Sequence, residues 1–117
     1  MEQIEHVLTD RGSKYAVSWG KAGDRRAAEA FVKGLKRKKK YARATHNTWA
    51  VLLPGEPVKN DDGESGAGMV ILRMLERDGI EGEVIVVTRW YGGVHLGGDR
   101  FRHVQTCVRA YLEAREF

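Results

Sequence analysis

The sequence contains one cysteine, Cys107, and only two prolines among its 117 residues. A single cysteine cannot form a disulfide within the chain, which is typical of proteins in a reducing compartment. No apolar run approaches the roughly 20 residues that a membrane-spanning helix needs. The N-terminal residues Met1–Glu5 also lack the basic and then apolar pattern of a secretion signal. We therefore expect a cytoplasmic protein with no membrane partner.

The composition is that of one globular domain over residues 1–117. Hydrophobic residues make up 42% and charged residues 31% of the chain, and no linker or repeat divides it. The net charge is +4, and many of the basic residues lie in one short segment. The candidate anion-binding residues in this segment are Lys36, Lys38, Lys39, Lys40 and Arg43. Such a cluster favours an anionic partner such as RNA, although a solvated helix end has the same pattern.

Hydrophobic periodicity predicts four strands and three helices in the order β-β-α-β-α-β-α. The predicted strands are residues 4–8, 13–19, 48–53 and 84–87, and the predicted helices begin near Asp24, Met69 and Asp99. Residues 54–65 are rich in proline, glycine, asparagine and aspartate, which predicts a loop. This order predicts an α+β fold, a two-layer sandwich with a four-stranded sheet and the helices on one face.

The segment from Thr88 to Arg100 contains four glycines between a predicted strand and a predicted helix. This is the setting of a phosphate-binding loop, but the spacing fits neither the P-loop nor the dinucleotide fingerprint. The glycines indicate tight backbone geometry. The basic and aromatic side chains around them suit a phosphate, an exposed base or an acidic peptide, although the aromatic residues also suit a core. The candidate binding residues here are Arg89, Trp90, His95, Arg100 and Arg102.

Arg89 has two possible roles in this segment. It either projects into solvent as an anchor for an anion, or ties the glycine-rich loop to Asp99 or to the acidic residues Asp61–Glu64. Those acidic residues offer oxygen ligands for Mg²⁺, but they also suit turns and helix starts, which is the interpretation we favour. A zinc site built from His95, His103 and Cys107 lacks a fourth ligand. We predict no metal, no cofactor and no catalytic residues.

Four blocks of sequence resemble, in the same order, the IMPACT family (YigZ-like, UPF0029 N-terminal domain). They are Asp10–Ser13, Ala44–Ala50, Asp61–Gly68 and Val86–Gly97, and together they extend over nearly the whole chain. The family pattern is matched at His46, Trp49, Asp61, Asp62, Glu64, Gly92, Gly93 and Gly97. The last block reads Arg-Trp-Tyr-Gly-Gly from Arg89, which is closer to the eukaryotic form than to the long bacterial form, Arg-Tyr-Phe-Gly-Gly.

The resemblance implies an α+β sandwich like the second domain of ribosomal protein S5, and no established enzymatic activity. Eukaryotic members are similar in this domain, carry an additional N-terminal domain, and restrain the starvation-activated kinase of initiation factor 2. Long bacterial members carry an additional C-terminal domain. Because Met1 lies so close to the first block, we expect either a short free-standing protein or an excised domain.

We therefore expect a non-enzymatic binding module in translation or its regulation, as a monomer or weak dimer. Its expected partner is RNA, the ribosome or a translation-associated protein, bound by residues 89–102 together with residues 36–43. One alternative is an enzyme acting on a phosphorylated substrate, in which Asp61, Asp62 and Glu64 hold Mg²⁺ and Arg89 clamps the anion. The other alternative is a purely protein-binding adaptor.

Overall fold

The computed structural model describes residues 1–115, which form one antiparallel sheet with helices packed against it. The elements are β1 (Glu2–Asp10), β2 (Ser13–Lys21), α1 (Arg25–Leu35), α2 (Lys39–Ala42), β3 (His46–Leu53), β4 (Glu56–Asn60), α3 (Ala67–Asp78), β5 (Glu83–Trp90) and α4 (Asp99–Arg115). The strand order is β1-β2-β5-β3-β4, so β5 lies at the centre of the sheet. Within residues 1–115 no helix is long and apolar enough to cross a membrane.

Helices cover both faces of this sheet. Successive side chains of a strand point to opposite faces. Ile85 and Val87 of β5 pack in the core cluster that contains α3 and α4, whereas Val84 and Val86 pack in the cluster that contains α1 and α2. The predicted two-layer sandwich with helices on one face is therefore wrong, and the structure has three layers. The physical reason is that the inner strands are apolar on both faces, and each face must be buried.

The sheet has five strands because the segment predicted as a loop contains β4. This strand forms a hairpin with β3 across Pro54 and Gly55, and Val51 of β3 pairs with Val58 of β4. Val58 is buried against the face that carries α1. Sequence patterning misses β4 because Val58 is its only large apolar residue and Pro57 lies beside it. The predicted count of four strands is corrected to five.

The predicted helix ends agree with the structure at two positions. At the start of α1, Asp24 Oδ1 accepts a hydrogen bond from the Ala27 N–H at 2.7 Å, as expected of an N-cap. At the end of α3, Gly79 has the left-handed backbone conformation with φ 64°. The helix α3 begins at Ala67, slightly before the predicted start at Met69.

Candidate functional site

The candidate residues at the end of β5 lie on opposite faces of the sheet. Arg89 shares the face of Val87, which carries α3 and α4, whereas Trp90 shares the face of Val86, which carries α1 and α2. The structure therefore divides the surface that the sequence predicted as one. The ionic pocket is lined by Thr45, His46, Gly63, Glu64, Arg89, Tyr91, His95, Leu96, Gly97 and Arg100. The basic face consists of Lys14, Lys36, Lys38, Lys39, Lys40, Arg43 and Trp90.

A buried charge network forms the base of the ionic pocket. Arg89 and Glu64 are only 6% and 5% exposed. Arg89 Nη1 donates to both carboxylate oxygens of Glu64, at 3.2 Å to Oε1 and 3.0 Å to Oε2. His46 Nε2 lies 3.7 Å from Oε2, and Arg100 Nε lies 3.7 Å from Oε1. Of the two roles considered for Arg89, the structure agrees with the tie to the acidic segment and not with projection into solvent. A buried guanidinium needs a charged partner, and Glu64 is that partner.

The register of the sheet explains why these side chains meet. Arg89 on β5 stands directly opposite His46 on β3 and Tyr15 on β2, so the three side chains share one face. The Arg89 guanidinium carbon lies 5.9 Å from the Tyr15 ring centroid. His46 Nδ1 donates to the Asp62 carbonyl oxygen at 2.9 Å, which fixes its tautomer and points Nε2 toward Glu64. The register of the sheet thus brings Arg89 and His46 together on the face that also carries Glu64.

The aspartate side chains of the acidic segment, Asp61 and Asp62, accept hydrogen bonds from backbone N–H groups of neighbouring elements and so hold the pocket in place. Asp61 accepts hydrogen bonds from the N–H groups of Gly66 at 3.0 Å and Gly68 at 2.8 Å, and so caps the start of α3. Burial alone would raise the pKa of Asp61, but these two hydrogen bonds hold it below its usual value. Asp62 Oδ2 instead accepts a hydrogen bond from the Asn47 N–H at 2.7 Å.

The three carboxylates that the enzyme alternative assigned to Mg²⁺ therefore have different partners. Asp61 binds the start of α3, Asp62 binds β3, and Glu64 binds Arg89. A magnesium site needs oxygen ligands that converge on one point. Throughout residues 1–115, no group of three or more histidine, cysteine, aspartate or glutamate side chains is placed to hold a metal ion.

The turn between β1 and β2 supports the glycine-rich loop. Ser13 Oγ accepts a hydrogen bond from the Gly92 N–H at 3.2 Å and receives a longer contact of 3.5 Å from Arg89 Nη2. A Cβ atom on Gly92 would lie 2.0 Å from the carbonyl carbon of Gly12, so a side chain cannot fit between the two backbones. Gly93 has φ 96°, which L-residues rarely adopt. The prediction that the glycines serve tight backbone geometry is confirmed at these positions.

An exposed chain of ion pairs joins the same turn to the start of α4. Asp10 Oδ2 accepts hydrogen bonds from Arg11 Nη2 at 3.0 Å and from His103 Nε2 at 2.7 Å. These hydrogen bonds lower the pKa of Asp10 to about 2. Arg11 also contacts Asp99 at 2.6 Å, and Asp99 pairs with Arg102 at 3.3 Å. Arg102, predicted as a binding residue, is therefore part of this exposed chain and does not line the ionic pocket.

The three residues considered as zinc ligands lie in different environments. His103 pairs with Asp10, and His95 packs its ring against Tyr91 with centroids 5.4 Å apart. Cys107 is fully buried in the core beneath α4, and burial raises the pKa of its thiol to about 12. Such a thiol is protonated at neutral pH and is a poor nucleophile.

The basic face is built around Trp90. Trp90 Nε1 donates to the Lys40 carbonyl oxygen at 2.8 Å, and Lys40 Nζ lies 5.2 Å from the Trp90 ring centroid. The buried Tyr41 ring packs edge-on against Trp90 with centroids 5.3 Å apart, which fixes the short helix α2 to the sheet. Lys14 stands opposite Trp90 in the β2–β5 register. Sequence patterning did not select Lys14, although the alternation of β2 places it on the side away from Tyr15.

A shallow cavity of about 360 Å³ joins the basic face to the glycine-rich loop. It is lined by Gly12, Lys14, Lys40, Trp90 and Tyr91. Tyr91, which also lines the ionic pocket, has 43% of its surface exposed, so one aromatic residue is accessible between the two regions. Trp49, which belongs to the family pattern, lies elsewhere: it is buried on the face of α1 and lines a groove with Lys33 and Lys59.

Residues 11–112 match the protein family described as the Impact N-terminal domain. The chain belongs to this family. It is 35% identical to the Protein IMPACT homolog of Caenorhabditis elegans, over 95% of this chain and 46% of that protein. It is 33% identical to Protein IMPACT of Homo sapiens, over 97% of this chain and 38% of that protein. The chain thus spans less than half the length of these relatives.

Solved structures share the fold. A hypothetical protein of known crystal structure has a TM-score of 0.75 and 24% identity, covering 87% of this chain and 54% of its own. The two-domain translational regulator Yih1 has a TM-score of 0.53 and 29% identity, covering 88% of this chain and 42% of its own. The first likeness concerns the fold alone. The likeness to ribosomal protein S5 stays a prediction.

Proposed function

We propose that this domain is a binding module in the regulation of translation and that the basic face contacts RNA. The membership of the IMPACT family and the likeness to Yih1, a translational regulator, support the link to translation. The observation that carries the RNA proposal is the Lys40 ammonium beside the anchored Trp90 ring, in a cavity shared with Lys14 and Tyr91. The proposed location is the cytoplasm, where translation takes place.

The chemistry of the basic face matches single-stranded RNA in two respects. Lysine and arginine side chains neutralise phosphates and release counterions, which supplies affinity without sequence preference. Aromatic side chains beside them provide surfaces on which unpaired bases stack. Trp90 is held by its Nε1 hydrogen bond to Lys40, so its ring is already fixed before a base arrives.

The positive charge of the basic face is not neutralised within the domain. None of the ion pairs found in residues 1–115 involves Lys14 or any of the basic residues from Lys36 to Arg43. All five predicted binding residues in that segment are exposed. A solvated helix end would have the same exposure. The feature that favours binding is that these cations lie beside a tryptophan that packs partly in the core and leaves part of its ordered ring accessible. Uncompensated charge beside an ordered aromatic favours an external anion.

Direct binding to RNA tests this proposal. We expect a fluorescently labelled single-stranded RNA of mixed sequence to bind weakly, with an affinity that falls steeply as salt increases. The triple variant Lys36→Glu, Lys39→Glu and Arg43→Glu should weaken binding and reduce the slope of log affinity against log salt by about 2, since each phosphate contact contributes about 0.7. The triple variant Arg73→Glu, Arg77→Glu and Arg109→Glu makes the same charge change on α3 and α4 and serves as the control.

The base-stacking part of the proposal has its own measurement. RNA should quench the fluorescence of Trp90, and the Trp90→Phe variant should lose that component, because Trp19 and Trp49 are buried. Equal loss of affinity in both triple variants would show that net charge alone controls binding and would overturn the proposed surface. Capture of translation proteins that survives ribonuclease treatment, with no direct RNA binding, would support the adaptor alternative instead.

A further inference from the structure

We infer that the ionic pocket is a binding site for a compact oxyanion, and we propose a phosphate group as its ligand. The cavity has a volume of about 360 Å³. This value lies at the lower end of the range for small-molecule sites and suits a single small group better than a large cofactor. The inference does not rest on RNA binding, because the charged groups of the ionic pocket lie on the opposite face of the sheet from Trp90.

The charge balance of the pocket favours an anion. Glu64 is the only acidic side chain among the lining residues, whereas Arg89 and Arg100 are both cationic. Both carboxylate oxygens of Glu64 already accept hydrogen bonds from Arg89. One carboxylate neutralises one guanidinium, so the second guanidinium adds an uncompensated positive charge. A cationic ligand would face Arg100 and would find no free carboxylate among the lining residues.

Hydrogen-bond donors in the pocket also exceed the acceptors. Nε of Arg89 and Nε of Arg100 are both buried without a hydrogen-bond acceptor among residues 1–115. The other contacts of Arg100 are long, at 3.7 Å to Glu64 and 3.5 Å to the Ser65 carbonyl oxygen. Buried donors that lack acceptors are costly, and a guanidinium fork binds phosphate oxygens in pairs. An oxyanion seated beside Arg100 would give the exposed part of its guanidinium the short hydrogen bonds that neither Glu64 nor the Ser65 carbonyl oxygen provides.

The position of the pocket relative to α4 adds to this preference. Arg100 belongs to the first turn of α4, and the preceding Gly97 lines the cavity. The first turn of a 17-residue helix carries the positive end of its dipole, which attracts anions. Arg100 is 35% exposed, so a ligand can reach it from solvent, whereas Arg89 is held beneath it by Glu64. We therefore assign Arg100 as the residue that contacts the ligand and Arg89 as a positioning residue.

Nuclear magnetic resonance titration of the full chain tests this assignment with three probes: inorganic phosphate, adenosine 5′-monophosphate and adenosine. We expect saturable shifts of the amide signals of Gly63, His95, Gly97 and Arg100 with both phosphate compounds and none with adenosine. Tighter binding of the monophosphate would identify a phosphate monoester as the ligand, and equal binding would identify free phosphate. Arg100→Gln should weaken phosphate binding about ten-fold or more, the value of one charged hydrogen bond.

Matched variants show whether Arg100 itself is responsible for phosphate binding. Arg102→Gln changes an exposed arginine on the same turn and should leave phosphate affinity unchanged, because Arg102 pairs with Asp99 outside the pocket. Arg100→Lys retains the charge and should show a smaller loss than Arg100→Gln, and it replaces that variant if the glutamine protein does not fold. The triple variant of the basic face should bind phosphate normally, which separates this inference from the RNA proposal. Absence of shifts with phosphate, or equal affinity of Arg100→Gln and Arg102→Gln, would overturn the assignment.

Discussion

Two groups of cations at the same end of the sheet differ in whether a carboxylate neutralises their charge. In the ionic pocket, Arg89 is 6% exposed and its guanidinium is bound by Glu64. On the basic face, Lys39 and Arg43 are exposed and belong to none of the ion pairs in residues 1–115. Arg89 precedes Trp90 directly in β5, so the two regions separate within one step along a strand.

The difference shows two kinds of role for the cationic residues of these two regions. A buried cation holds the fold together, because removing its partner leaves an uncompensated charge in the interior. An exposed cluster contributes little to stability and is free to bind an external anion. The four blocks of the family resemblance each supply a residue at or beside the ionic pocket, namely Ser13, His46, Glu64 and Arg89. The basic cluster from Lys36 to Arg43 lies outside those blocks.

The largest expected effect is loss of the buried charge pair. Arg89→Ala should destabilise the domain by about 3–5 kcal/mol, because Glu64 is then left buried without its partner. Arg43→Ala removes the same side chain from the basic face and should change stability by less than about 0.5 kcal/mol. Urea denaturation of the two variants measures this difference in the free energy of unfolding.

The double variant Arg89→Ala and Glu64→Ala should lower the free energy of unfolding by less than the sum of the two single variants. Equal stability of Arg89→Ala and Arg43→Ala would show that the two regions do not differ in this way.

The next effect concerns the backbone contact beside the ionic pocket. Gly92→Ala should destabilise by about 1–3 kcal/mol, since the new Cβ would overlap the backbone of Gly12 and force the β1–β2 turn away. Gly98→Ala is the matched control in the same loop, because its Cβ would meet no atom within 4 Å and its φ is not in the left-handed range. Thermal unfolding of both variants gives the comparison. A similar melting temperature for the two would show that the turn moves aside at little cost.

A smaller effect, dependent on pH, is expected at the ion pairs of the β1–β2 turn. The pKa of Asp10 is lowered from 3.8 to about 2 by hydrogen bonds from Arg11 and His103. A carboxylate with a lowered pKa stabilises the folded state above its usual pKa, and this contribution is lost as pH falls toward 2. Urea midpoints between about pH 5 and pH 2 should therefore fall less steeply in Asp10→Asn than in the unmodified chain. Parallel curves for the two proteins would contradict the pairing.

The smallest effect is expected on the basic face. The triple variant Lys36→Glu, Lys39→Glu and Arg43→Glu should change stability by less than about 0.5 kcal/mol per substitution, because all three side chains are exposed. Any gain from reduced repulsion should disappear at high salt, where exposed charges are screened. A loss of several kcal/mol would show that the basic face also holds the fold together. The contrast between the two regions would then fail.

Sequence patterns predicted the features that depend on local chemistry. Alternation in β2 assigned Tyr15, Val17 and Trp19 to one face, and these residues do share one core cluster. The Asp24 cap and the Gly79 helix end follow from side-chain and backbone preferences that act within a few residues. The need for glycine near position 92 was also visible, because four glycines beside aromatic residues indicate tight backbone geometry.

Which elements and which charged residues come into contact depends on the three-dimensional fold. The strand β4 exists because β3 offers it a pairing partner, and the chemistry of residues 56–60 alone does not predict this. Helices occupy both faces because the inner strands bury apolar side chains on each side. The pairing of Arg89 with Glu64 joins residues 25 positions apart in sequence. Burial and cross-strand register determine such contacts, and neither is a property of a short segment of sequence.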